Sequence, residues 1–115
     1  MRDDRVYLKH ILECIRAVEE YTSSGREAFV DDRKTQKAVL RELQELAEST
    51  QRLSLALKES YPNIPWRSIS GFRNVLVHDY LGLNLNRIWE IVKRDLPGLR
   101  AAVEKMLLEL SDTAL

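Results

Sequence analysis

Apolar residues recur every three or four positions along almost the whole chain, and that spacing leaves an all-α fold as the one open to it. Leu8, Ile11, Leu12, Ile15 and Val18 stand at i, i+3, i+4, i+7 and i+10, which is one stripe along a helix. No segment alternates apolar and polar residues as a half-buried strand would, and no internal repeat is visible. Helix breakers are few, with four glycines and three prolines in 115 residues. The stripe predicts a first helix from about Asp4 to Thr22, capped by Asp3 or Asp4 and stopped at Ser23-Ser24-Gly25. A short loop through Phe29 and Val30 should follow. A long second helix is expected from about Asp32 to Glu59. It should bury Val39, Leu40, Leu43, Leu46, Ala47, Leu53 and Leu57 and leave a densely charged face to solvent.

Tyr61-Pro62-Asn63-Ile64-Pro65-Trp66 holds two prolines in four residues, which no helix interior tolerates. Pro65 is well placed to open a third helix, from Trp66 to His78, carrying Ile69, Phe72, Leu76 and Val77. Asn84 offers a cap for a fourth helix with Ile88, Trp89, Ile91 and Val92. Pro97-Gly98 is expected to bend or break it. A final helix carries Leu99, Val103, Met106, Leu107 and Leu110, with fraying from Ser111. The expected architecture is a bundle of four or five helices, one domain over residues 1–115.

A domain this long buries roughly two-thirds of the surface its unfolded chain exposes. That suffices for one modest core without a large enclosed cavity, so a substrate would sit in a groove or at a subunit boundary. Eighteen Lys and Arg balance eighteen Asp and Glu, which excludes binding nucleic acid by bulk charge. Any RNA contact needs a local patch. Between Trp66 and Arg100 six Lys or Arg stand against three acidic residues, including Arg67, Arg87, Lys93, Arg94 and Arg100. Near-zero net charge also favours self-association. Cys14 is alone, so no internal disulfide can form, which suits a reducing cytosol. The opening residues lack the apolar core of a signal peptide. No apolar run approaches the ~20 residues that span a bilayer. A soluble, cytoplasmic protein without membrane contact is expected.

Reactive side chains concentrate in Gly71-Phe72-Arg73-Asn74-Val75-Leu76-Val77-His78-Asp79-Tyr80. Asn74 and His78 are i, i+4 and share a helix face. Arg73 and His78 are i, i+5, about 140° apart around a helix. Either Arg73 reaches around, or His78 sits where the helix ends, or two copies of the segment meet across an interface. These residue types suit RNA cleavage, where the ribose 2′-OH is itself the nucleophile. A histidine can act as general base or acid near neutrality. An arginine stays charged and matches phosphate oxygens as a planar fork. An asparagine can orient the imidazole or donate to phosphate. The same residues also serve structure, with a histidine satisfying last-turn carbonyls and an arginine in an ion pair.

The stretch from Ile64 through Leu107 resembles the HEPN superfamily, in particular the HepT-like toxins of prokaryotic toxin–antitoxin pairs. Arg73, Asn74 and His78 match its Arg-polar-x3-His element, and Asp79-Tyr80 match the HepT extension. Ile64-Pro65-Trp66, Gly71-Phe72 and Leu96-Pro97 add landmarks around it. The resemblance implies an up-down bundle and a homodimer with both motif copies facing a shared cleft. It further implies metal-independent endoribonuclease activity without a cofactor, leaving 2′,3′-cyclic phosphate ends. Arg73 and His78 would be catalytic, with Asn74 assisting. The implied partner is a minimal nucleotidyltransferase antitoxin that transfers AMP to Tyr80. The alternative is a non-catalytic nucleotide- or protein-binding module partnering a nucleotidyltransferase. Trp66 and Trp89 read as core or interface anchors, His10 as a surface residue and Cys14 as packed.

Overall fold

The computed structural model describes residues 3–78 and 82–113. Every regular element among them is helical. Helix α1 (Asp4–Tyr21) starts where the side chain of Asp3 accepts from the Arg5 amide. Its predicted stripe of Leu8, Ile11, Leu12, Ile15 and Val18 is buried. Helix α3 (Arg33–Gln51) starts on an equivalent cap, Asp32 accepting from the Lys34 amide. The two helices run antiparallel. Near one end Asp4 accepts from the amide and hydroxyl of Ser54, and further along His10 meets Ser49.

Three expectations need correction. Phe29 and Val30 lie in a short helix, α2 (Arg26–Asp31), and not in a loop. Gly25 enters it at φ 99°, backbone that favours glycine. Gln36 donates to the carbonyls of Phe29 and Val30 at 3.0 and 2.7 Å, supplying partners that a helix end otherwise lacks. The long second helix is interrupted after Gln51. Ser54 caps a separate helix, α4 (Leu55–Ser60), accepting from the Leu57 amide, and Asp4 holds Ser54 in that role. Pro97 breaks nothing. Helix α6 (Leu85–Glu90), capped by Asn84, runs through a π turn (Ile91–Asp95) into α7 (Leu96–Thr113). In that turn the Leu96 amide bonds to the Ile91 carbonyl. The wider turn just ahead of Pro97 accommodates a residue with no N–H to give and a ring that crowds the preceding turn. Helical structure continues past Ser111 to Thr113.

Helix α5 (Trp66–His78) has the bounds read from sequence. Its start is pinned by the Trp66 indole, which donates to the carbonyls of Lys58 and Tyr61 at 3.2 and 3.1 Å. Four long rods result, namely α1, α3, α5 and the α6–π–α7 rod. α3 packs on α1 and on α5, and α1 also packs on α7. The core is Leu8, Ile11, Ile15, Val18, Val39, Leu43, Val103 and Met106 with their neighbours. α2 closes one end, where Phe29 lies against Trp89 with ring centroids 5.6 Å apart. Between α5 and the last rod a groove of about 810 Å³ remains open. Its floor is α3, and Arg87 and Arg94 are among its lining residues. No described helix is long and apolar enough to cross a membrane.

Candidate active site

Helix α5 distributes its side chains by angle. Ile69, Phe72 and Leu76 turn toward the core, and Leu76 is fully buried. Arg73 lies three residues before Leu76 and four after Ile69, on the flank that meets α3. Asn74 and His78 lie on the outward face and are exposed. His78 is the last described residue of the helix. Within one protomer Arg73 and His78 point to different sides. Tyr80 and Asp79 lie outside the described residues.

Arg73 is only half-buried. Its Nη2 pairs with the Glu48 carboxylate at 3.6 Å, with side-chain exposures of 31% and 38%. Its Nη1 approaches the Asn74 side-chain oxygen at 3.5 Å, the outer limit of a hydrogen bond. Its Nε is buried without a hydrogen-bond partner. Glu48 is itself held, because Gln44 Nε2 donates to its Oε1 at 3.0 Å. A guanidinium with one counter-charge behind it and N–H groups left over can still take a phosphate oxygen. Glu48 and Gln44 belong to the α3 face that sequence reasoning assigned to solvent. Only the register between α3 and α5 reveals their role.

Next to Glu48, the wall between α1 and α3 carries a second polar group. His10, read from sequence as a surface residue, is half-buried and hydrogen-bonds through Nδ1 with Ser49 Oγ at 2.6 Å. Its Nε2 lies 3.7 Å from Cys14 Sγ. The tautomer decides which partner donates, and both ring nitrogens are engaged in either case. Cys14 is packed as expected, 1% exposed. Burial first, then the carboxylates of Glu42, Glu45 and Glu13, push its thiol up to about 12. That makes it a poor nucleophile. Ser49 is buried beneath His10, so this group knits α1 to α3. Among the described residues no group of three or more His, Cys, Asp or Glu could hold a metal ion.

The expected anchoring roles of the tryptophans also have counterparts. Trp89 is half-buried against Phe29, with the Lys93 ammonium 4.9 Å above its ring. Arg100 is committed to Glu19 and Glu104, whereas Arg67, Arg87 and Arg94 are exposed.

A family model described as ribonuclease HepT-like matches residues 11–106, which include α5 and the whole Arg73–His78 segment. The chain belongs to the HepT-like ribonuclease family. A "Probable ribonuclease HepT" of Thermococcus cleftensis is 37% identical over 106 residues, covering 91% of this chain and 96% of the relative. A Methanocaldococcus jannaschii protein named "Gamma-glutamylcyclotransferase and putative RNase" is 36% identical over 110 residues. That alignment covers 95% of this chain but 50% of the relative, so the present HepT-like chain spans about half of that longer protein. No solved structure matches the chain at a significant level. The all-helical bundle is the architecture that the family resemblance called for.

Proposed function

We propose that this HepT-like chain is the toxin of a toxin–antitoxin pair and a metal-independent endoribonuclease. The observation that carries the reading is the split presentation on α5. A phosphate-matching arginine sits on one flank, and Asn74 and His78 stand exposed on the outward face. Arg73 binds the scissile phosphate and the charge that develops on it. His78 takes the 2′-OH proton or gives one to the leaving 5′ oxygen. Asn74 orients one of them. Because Arg73 and His78 diverge by about 140° within one helix, the working site is completed across a homodimer. Support for that comes from Val75 and Val77, 42% and 37% exposed, which flank the outward face on its two sides. The open groove alongside α5 adds to it. Tyr80 is the residue to which a minimal nucleotidyltransferase antitoxin transfers AMP. A bulky anionic phosphodiester two residues from His78 would repel an RNA phosphate.

The test is cleavage of end-labelled RNA by the purified, unmodified protein in EDTA, with His78→Ala in parallel. Cutting by the wild type alone, with 2′,3′-cyclic phosphate ends, is the expected result. Absence of cutting by both across a broad RNA pool, with Tyr80 unmodified by mass spectrometry, removes the nuclease reading.

A further inference from the structure

Arginine is a long side chain with several free torsions, and a phosphate-binding role demands that its fork be aimed before substrate arrives. Arg73 lacks the usual means of being aimed. Its Nε has no partner, and its contact with Asn74 is at the limit of bonding. Its charged partner is the Glu48 carboxylate on the neighbouring helix, 3.6 Å from Nη2. That carboxylate is fixed in turn by Gln44, one turn earlier on α3. We infer that Glu48, braced by Gln44, is a positioning residue that aims the Arg73 guanidinium at the scissile phosphate.

The inference rests on the nuclease reading above. The geometry favours aiming over blocking. A single contact at 3.6 Å between half-exposed groups is too weak to keep Arg73 from a phosphate. It engages Nη2 from the α3 side and leaves other N–H groups of the fork available. The carboxylate also supplies the counter-charge that lets a guanidinium rest partly buried against α3. Loss of Glu48 therefore removes orientation while adding net positive charge near the cleft. The two effects act in opposite directions on rate and on RNA binding, which makes them separable.

The experiment measures single-turnover cleavage of a short single-stranded RNA in EDTA, and the Kd of the same RNA by anisotropy in a His78→Ala background. Glu48→Ala is expected to slow cleavage by about ten- to a hundredfold, the scale on which a misplaced group costs rate. The Kd should stay the same or tighten. Glu48→Gln keeps the shape and an oxygen for Gln44 to donate to, without the charge, and should recover part of the rate. Gln44→Ala should cost about threefold. Unchanged or faster cleavage with tighter binding would make Glu48 a competitor for Arg73 and overturn the proposal. A parallel loss of rate, affinity and melting temperature would reduce Glu48 to fold support and overturn it too. If the wild type cuts no RNA, the nuclease reading itself fails. Exchange of the Arg73 Nε–H, followed by NMR in arginine-labelled protein, then still decides whether Glu48 holds the guanidinium. Faster exchange in Glu48→Ala than in wild type is the expected sign, and equal rates refute the hold.

Discussion

Replacing Arg73 with methionine should make the protein more stable while removing its activity. Arg73 is half-buried on the flank of α5 that meets α3, and methionine keeps most of the apolar bulk of an arginine stem. What the substitution removes is a buried Nε with no partner. An unsatisfied buried donor costs about 1–3 kcal/mol. Against this stands the loss of a half-exposed ion pair with Glu48, worth about 0–1 kcal/mol, and of the marginal Asn74 contact, worth a few tenths. Glu48 is itself exposed enough to be rehydrated once alone. The net is a gain of about 1 kcal/mol, or roughly 4 °C in Tm for a domain of this size. The sign is the test, because point substitutions on average destabilise by about 1 kcal/mol. Urea unfolding of wild type and Arg73→Met, with unchanged m-values, reads it directly. A gain marks a residue kept at a cost to the fold, as expected where function sets the choice. A loss of more than about 1 kcal/mol would show instead that Arg73 is a structural tie between α3 and α5, and the argument for its role would collapse.

Two further outcomes follow from the packing. Phe29, 1% exposed and tilted against Trp89, closes the end of the bundle, so Phe29→Ala should cost about 3–5 kcal/mol by urea unfolding, and a cost under about 1 kcal/mol would mean that α2 is not docked as described. Cys14, its thiol pushed up to about 12 chiefly by burial, should resist a thiol reagent at pH 8 until denaturant is added. Because the folded thiol holds its proton above the unfolded value, the associated stability is whole below about pH 8.5 and falls as pH rises from there toward 12. Rapid labelling of the native protein at pH 8, or no fall in stability over that alkaline range, would contradict the burial.

Where periodicity is long and unbroken, the chain was readable. The stripes of α1 and the core half of α3 are buried as the spacing requires. α5 begins after Pro65 because proline chemistry and apolar spacing agree there. The failures have physical causes. Six residues in α2 are too few to show a 3.6-residue period against the background of a loop. The break before α4 depends on Asp4 gripping Ser54 from fifty residues away, which no local window contains. Pro97-Gly98 reads as a bend or a break, and helical backbone runs on through it behind a π turn. In the candidate site Arg73, Asn74 and His78 were legible as a motif. Glu48, Gln44 and the His10–Ser49 bond were not. Each depends on the register between two helices, and a charged residue on an amphipathic helix looks the same whether it faces water or a neighbour.

The zero net charge can be squared with an RNA substrate through the way the cations are spent. Arg100 lies in the basic half of the sequence, yet it is tied to Glu19 and Glu104. Lys93 lies over the Trp89 ring. That leaves Arg67 exposed on α5, and Arg87 and Arg94 lining the groove beside it. One protomer therefore offers few uncommitted cations near the motif, too few to hold a polyanion by charge alone. In the homodimer proposed above, a second copy placed against the outward face of α5, which Val75 and Val77 flank, would double that number. On this reading the divergence of Arg73 and His78 around the helix, the exposed Val75 and Val77, and the absence of bulk positive charge are three consequences of one design. In the proposed homodimer each chain carries half of a site, and the chemistry is set by how the two halves meet.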